Sequence, residues 1–404
     1  MRVAVTGVGA LTPMGATAPE FWNALIEGRS GIAPLEGWWT PNLRFPNGSQ
    51  MRGWDPSQHF DIRTIDLLDP FAQFATVAGR EALSDAGLSV ADVKGPRTAI
   101  LTGCCGGGQG SEDIQFQELY EKKTGRVHPM TIPRIMSNAA ASYLSMELGV
   151  SGPVYSVSTA CASSGHAIGQ GFWMVRSGIV DRAIVGGSEA LFSFGFLKAW
   201  EAMRVVSQET CRPFSKDRKG LILGEGSAML VLEPLDVAKA RGARIYAELA
   251  GAGMSADAHH ITQPSVDGPA LAMRAALADA SMALEEIGYV NAHGTGTLAN
   301  DSTECRAIHC LFGEHAKRLA VSSTKSMHGH ALGAAGALEA VATVLALREG
   351  ILPPTMNYST PDPECDVDVI PNAARKAQVG AALSNSFAFG GLNAVLCFRS
   401  PASL

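Results

Sequence analysis

Apolar and polar positions along the chain switch repeatedly between two periods. Short apolar, β-branched runs predict strands over residues 2–6, 98–101, 154–158, 182–185, 228–232, 244–249, 289–292, 319–322, 381–384 and 394–398. Segments with helical spacing predict helices over 18–27, 70–86, 135–148, 162–176, 269–280 and 333–348. Strand–helix alternation of this kind points to a layered α/β fold. The most apolar late segment, 331–347, carries Glu339 and several glycines, so it reads as a buried helix and not as a membrane span. A boundary between two halves is expected near Ala250, giving 1–249 and 250–404.

The halves echo one another. VSTACASSGHAIG at 157–169 matches VSSTKSMHGHALG at 321–333 at six positions, 164 residues apart, and RSGIV at 176–180 has a counterpart in REGIL at 348–352. Two echoes in the same order indicate an internal duplication. In the first copy a strand turns sharply into a helix at Cys161. A thiol there is expected to sit in the first helical turn, where unpaired N–H groups and the helix dipole favour its thiolate. A buried, inert cysteine is the competing reading. The second copy places Lys325 and His330 at the equivalent junction, and pseudo-symmetry would bring the two junctions together.

A third cluster, YVNAHGTGT at 289–297 followed by Asn300, Asp301 and Glu304, reads as a strand ending at His293 and a Gly/Thr loop able to approach a ligand closely. Cys161, His293 and His330 together suit acyl transfer through a thioester. Other readings are weaker. The Gly7 and Gly9 pair lacks the third glycine of a dinucleotide fingerprint, and the Gly-rich 103–110 segment lacks the Lys-Ser/Thr of a phosphate loop. His259–His260 and His328/His330 bring no ligands at a familiar metal spacing, so no metal is expected. No Gly-x-Ser-x-Gly elbow is present.

Composition narrows the class further. At 404 residues and 46% hydrophobic content the chain can bury a large core, and a net charge of −6 gives no support for nucleic-acid binding. Eight cysteines without a disulfide or metal spacing fit a reducing cytosol, and the N-terminus has no signal-peptide pattern, so the cytoplasm is the expected location.

From the opening RVAVTGVGA to the closing SNSFAFGGLN at 384–393, these motifs resemble the β-ketoacyl–acyl-carrier-protein synthases, the elongating ketosynthases of the thiolase superfamily. The resemblance implies a thiolase-like five-layered αβαβα fold built from two duplicated halves, with two mixed sheets sandwiching and flanked by helices. It implies that Cys161 holds the acyl chain, that the N–H groups of Cys161 and Phe389 form the oxyanion hole, and that His293 and His330 stabilise the enolate left by malonyl decarboxylation. Phe387 and Phe389 flank Ala388 in a gate where relatives often carry glycine, and His328 stands where they often carry threonine. Lys325 is expected to pair with Asp301 and Glu304. Thr295, Thr297, His260 and Thr262 resemble the residues that meet the phosphopantetheine arm, and Cys105 falls at the distal acyl pocket.

No cofactor is expected to be bound permanently, since the phosphopantetheine arm comes with the acyl carrier protein. That protein is the expected partner, along with a second, identical or related ketosynthase-like subunit; neither nucleic acid nor membrane is. Arg63, Arg204 and Arg212 are candidates for meeting the acidic carrier. Two other functions remain in view. A non-catalytic chain-length-determining subunit typically lacks the nucleophile, which Cys161 supplies. A thiolase acting on coenzyme A thioesters needs a second cysteine base, and Cys397 lies in a core-like strand pattern.

Overall fold

The computed structural model describes residues 1–403. Its main sheet contains β1 (Val3–Leu11), β2 (Thr98–Gly103), β3 (Val154–Val157), β4 (Arg182–Glu189), β5 (Gly226–Pro234), β6 (Ala247–Ala256), β7 (Ile287–Asn291), β8 (Ala320–Ser322), β9 (Asp368–Val369), β10 (Ala381–Ala388) and β11 (Leu392–Arg399). The principal helices are α1 (Ala18–Ile26), α2 (Pro70–Asp85), α3 (Gln109–Glu121), α4 (Ala139–Leu148), α5 (Ser163–Arg176), α6 (Phe194–Met203), α7 (Asp267–Ala280), α8 (Leu298–Phe312) and α9 (Ala335–Glu349). None of the described helices is long and apolar enough to cross a membrane.

The duplication is visible in the strand order. The first half runs β3-β2-β4-β5-β1 and the second β8-β7-β10-β11-β6, with the same parallel and antiparallel pairings at each step. The expected two sheets are not separate. Antiparallel pairing of Val3–Val5 with Ala247–Leu249 joins them into one continuous sheet of eleven strands, β9 adding an edge. Position 249/250 lies within β6, which runs Ala247–Ala256.

Layering follows from what each strand buries. In β2, β4 and β5 the residues Leu101, Val185 and Leu230 face a central core, while Ile100, Ile184 and Met229 face an outer core with α2 and α4. In β11 Leu396 and Phe398 face the centre, and Val395 and Cys397 face an outer core with α7 and α8. Strands covered on both faces read as unbroken apolar runs, which is why they were legible. The central layer is α5 and α9. They approach so closely that a Cβ on Gly336 would lie 3.1 Å from the Gly165 nitrogen, and the Ala337 N–H donates to Ser164 Oγ at 2.9 Å.

The sequence echo and the structural repeat differ in register. Residues 163–176 correspond to 335–349 as central helices, so His166 lies within α5 whereas His330 precedes α9. The extra residues of the second half form the short helix Lys325–His328 and the loop after it. That insertion carries Lys325 and His330 to the start of α5.

Candidate active site

Cys161 sits between β3 and α5, two residues before the first helical residue and not within the first turn as expected. The chain reverses there through Ala160, whose φ is +48°, a left-handed conformation that costs a non-glycine residue energy. The resulting elbow projects the side chain toward the second half of the molecule. Cys161 is 6% exposed, and burial pushes its thiol up to about 11. Lys325 and the backbone N–H groups of Phe389 and Cys161 pull the other way without prevailing. The expected dipole-favoured thiolate is thus corrected. Desolvation outweighs the helix terminus, and the resting sulfur carries its proton.

His293 follows β7, and Gly294 and Gly296 take positive φ just beyond it, turning the chain into α8. His330 is held by its own N–H to Ile222 O at 2.6 Å and by the Gly224 N–H to its carbonyl at 3.0 Å. Cys161 Sγ and one ring nitrogen of each histidine lie within 4.8 Å of one another. The two rings meet edge to face, with centroids 5.3 Å apart. Burial, with Lys325 nearby, holds both imidazoles well below the usual histidine range, so both are neutral. Burial also lowers His328 to about 3; its Nε2 pairs with Thr324 Oγ1 at 2.9 Å, outside the cavity lining.

Lys325 fixes the histidine. Its ammonium donates to the His293 carbonyl at 2.7 Å and to His293 Nδ1 at 3.2 Å. Since Nδ1 accepts, the ring proton is assigned to Nε2. The expected pairing of Lys325 with Asp301 and Glu304 is not what the fold makes. Lys325 forms a buried ion pair with Glu339 of α9. Asp301 instead faces Arg218 at 3.8 Å and accepts the N–H groups of Phe214 (2.8 Å) and Gly296 (3.2 Å). Glu304 accepts the N–H groups of His293 (2.9 Å) and Gly294 (2.8 Å) and the Asn385 amide (3.1 Å). The two carboxylates therefore shape the His293 loop while Glu339 neutralises the lysine. A lone acid in the apolar 331–347 segment was the available signal for Glu339.

A cavity of about 120 Å³, open to solvent, reaches Cys161, His293 and His330. Thr295, Thr297, His260, Thr262, Phe387, Ala388 and Phe389 line it. Thr295 Oγ1 lies 2.9 Å from Thr297 Oγ1, which also caps α8. Ala388 ends β10 opposite Leu392, and the positive φ values fall on Gly390 and Gly391, so the turn does not depend on a glycine at 388. Phe389 stacks on Trp200, centroids 6.1 Å apart. Cys105 is absent from this lining but packs with Cys161, Leu332, Trp200 and Phe389 in one apolar cluster. Of the arginines, Arg204 directly precedes Val205 in the cavity wall, Arg212 is committed to Glu209 at 2.9 Å, and Arg63 lies on the exposed helix Ile62–Leu67 away from it. Cys397 is buried against Met282 in the second outer core.

Comparison with known proteins agrees across the whole chain. Residues 1–238 match the family model of the β-ketoacyl synthase N-terminal domain, and 246–359 that of the β-ketoacyl synthase C-terminal domain. The chain is 47% identical to nodulation protein E of Rhizobium sp. (strain N33), covering 98% of this chain and 99% of that protein. It is 42% identical to 3-oxoacyl-[acyl-carrier-protein] synthase 2 of Synechocystis sp., covering 98% of each. The ishigamide ketosynthase/chain length factor structure superposes with a TM-score of 0.94 at 37% identity, over 99% of both chains.

Proposed function

This chain belongs to the β-ketoacyl synthase family, and from that premise we propose that it condenses a malonyl group on acyl carrier protein with an acyl group held on Cys161, in fatty-acid or polyketide synthesis. The observation that carries this reading is the meeting of Cys161, His293 and His330 at the floor of one cavity.

Cys161 attacks the carbonyl carbon of the incoming acyl thioester. Its proton passes to His330, because His293 Nδ1 is occupied by Lys325 and its Nε2 already bears hydrogen. The developing oxyanion accepts from the N–H groups of Cys161 and Phe389, which already point at the sulfur. The carrier thiol departs with the proton from His330. Malonyl thioester then enters, and its thioester oxygen accepts from the Nε2–H of His293 and from His330 after solvent-assisted transfer of its single ring proton from Nδ1 to Nε2. The bond to the carboxylate breaks, carbon dioxide leaves, and its electron pair forms the enolate. The enolate carbon attacks the acyl-Cys161 carbonyl, the cysteine leaves as thiolate, and it takes a proton from water, which closes the cycle. Lys325 polarises His293 through Nδ1, which strengthens its Nε2–H as a donor.

Thr295, Thr297, His260 and Thr262 would hold the carrier's phosphopantetheine arm along the cavity. A second ketosynthase-like chain would cover the exposed apolar residues of 109–146, where Tyr120 is 71% and Met146 72% exposed. Free cysteines throughout the described chain fit the cytoplasm. The test is reconstitution with acyl and malonyl carrier proteins: a product lengthened by two carbons, with release of carbon dioxide, supports the reading, and unchanged acyl carrier overturns it.

A further inference from the structure

Glu189, the last residue of β4, is 1% exposed and touches neither histidine nor the cavity. Its carboxylate takes four donors from two separate loops. Oε1 accepts the Gly106 N–H at 2.9 Å and faces the Cys104 thiol at 3.5 Å. Oε2 accepts the Cys105 N–H at 2.9 Å and the Gly333 N–H at 3.0 Å. One buried anion thereby ties the loop after β2 to the turn that follows His330.

The joint is tight. A Cβ on Gly333 would lie 2.5 Å from the Cys105 nitrogen and 2.7 Å from Glu189 Oε2, so only glycine admits this approach. Next to it, Leu332 holds φ at +43°, a conformation that branched and bulky residues avoid. Such strain persists only where the surroundings over-determine it. Leu332 is fully buried, and with Cys105 it belongs to the apolar cluster that contains Cys161.

We propose that Glu189 is a positioning residue for acyl-chain specificity, holding Cys105 and Leu332 together as one wall of the acyl site beside Cys161. The proposal rests on the ketosynthase reading above. A medium-length acyl chain on Cys161 has to fit more of its length among the apolar cluster that contains this wall than an acetyl group does. Loss of the anion frees both loops and blurs the wall without touching the groups that carry out the chemistry.

Glu189→Gln tests this, since the amide keeps the shape but opposes an NH2 group to backbone donors. Cys161 acylation is measured by intact-protein mass with acetyl and with decanoyl carrier protein, alongside malonyl decarboxylation. The proposal predicts a decanoyl-to-acetyl rate ratio lowered about ten-fold, with acetyl transfer and decarboxylation unchanged. An unchanged ratio, or equal losses on both substrates, overturns it. If Glu189→Gln does not fold, Glu189→Asp keeps the charge with a shorter reach: an intermediate ratio supports the proposal, and the parental ratio overturns it. A parental enzyme that acylates with neither substrate would overturn the ketosynthase reading, and this proposal with it.

Discussion

Lys325 Nζ lies 2.7 Å from the carbonyl oxygen of His293 and 3.2 Å from its Nδ1, so one buried cation fixes both the loop and the ring that it carries. Its charge is balanced by Glu339, fourteen residues on, across the turn that separates the short helix from α9. Removing either partner leaves an uncompensated buried ion, which typically costs about 3–5 kcal/mol. Glu339→Ala should therefore lower the thermal midpoint by several degrees, read by calorimetry. Glu339→Gln should slow malonyl decarboxylation about ten-fold or more while Cys161 acylation falls less. Equal losses in both half-reactions would count against a role exercised through His293.

The two histidines should separate by half-reaction. His293→Ala loses an Nε2–H donor to the enolate, so decarboxylation should drop about a hundred-fold while Cys161 still acylates. His330→Ala loses the acceptor for the cysteine proton as well, so both half-reactions should slow. Single-turnover acylation and carbon dioxide release distinguish them. Parental rates in either variant would remove that histidine from the mechanism.

The thiol's pH dependence has a definite sign. Because burial raises its pKa to about 11, the reactive thiolate fraction of free enzyme should grow about ten-fold per pH unit from 7 to 10, with no plateau. Alkylation by iodoacetamide followed at the Cys161 peptide measures this separately from exposed Cys310. A plateau below pH 8.5 would mean that the helix terminus dominates after all.

Cys105 should be a length determinant. Cys105→Phe introduces a ring into the apolar cluster beside Cys161 and should shift products toward shorter chains, provided the variant folds. An unchanged product profile from a well-folded variant would place the limit elsewhere. At the cavity mouth, Arg204→Glu should raise KM for carrier-bound substrates in a salt-sensitive manner, whereas Arg212→Glu, already paired with Glu209, should disturb local structure instead. Equal kinetics for the parent and Arg204→Glu would remove that contact.

What was legible in the sequence is what local chemistry writes into adjacent positions. Cys161 and His293 each follow a strand-like run and open a stretch of small residues, His330 falls in the repeat of the Cys161 segment, and the fold brings the three together. The strands could be read because both faces are covered. Helix α8 was missed because its buried side includes Asp301, Thr303 and Glu304, and buried polar groups hide a helical apolar stripe. Helices α3 and α6 were missed as well, the first being mostly polar and opening from a glycine-rich loop. The partner of Lys325 was not legible because the pair forms only when the turn before α9 folds back. The thiol's pKa was misjudged because burial, which depends on every layer, exceeded the local helix-end effect.

The central claim is that Cys161 carries the acyl chain while the histidines act on malonyl thioester, and paired variants test it most directly. Parental protein incubated with acyl carrier protein alone should gain one acyl mass on the Cys161 peptide. Cys161→Ala should gain none and should not elongate, while Cys161→Gln should still release carbon dioxide from malonyl carrier protein. Elongation at the parental rate by Cys161→Ala, or acylation at another residue, would contradict the account.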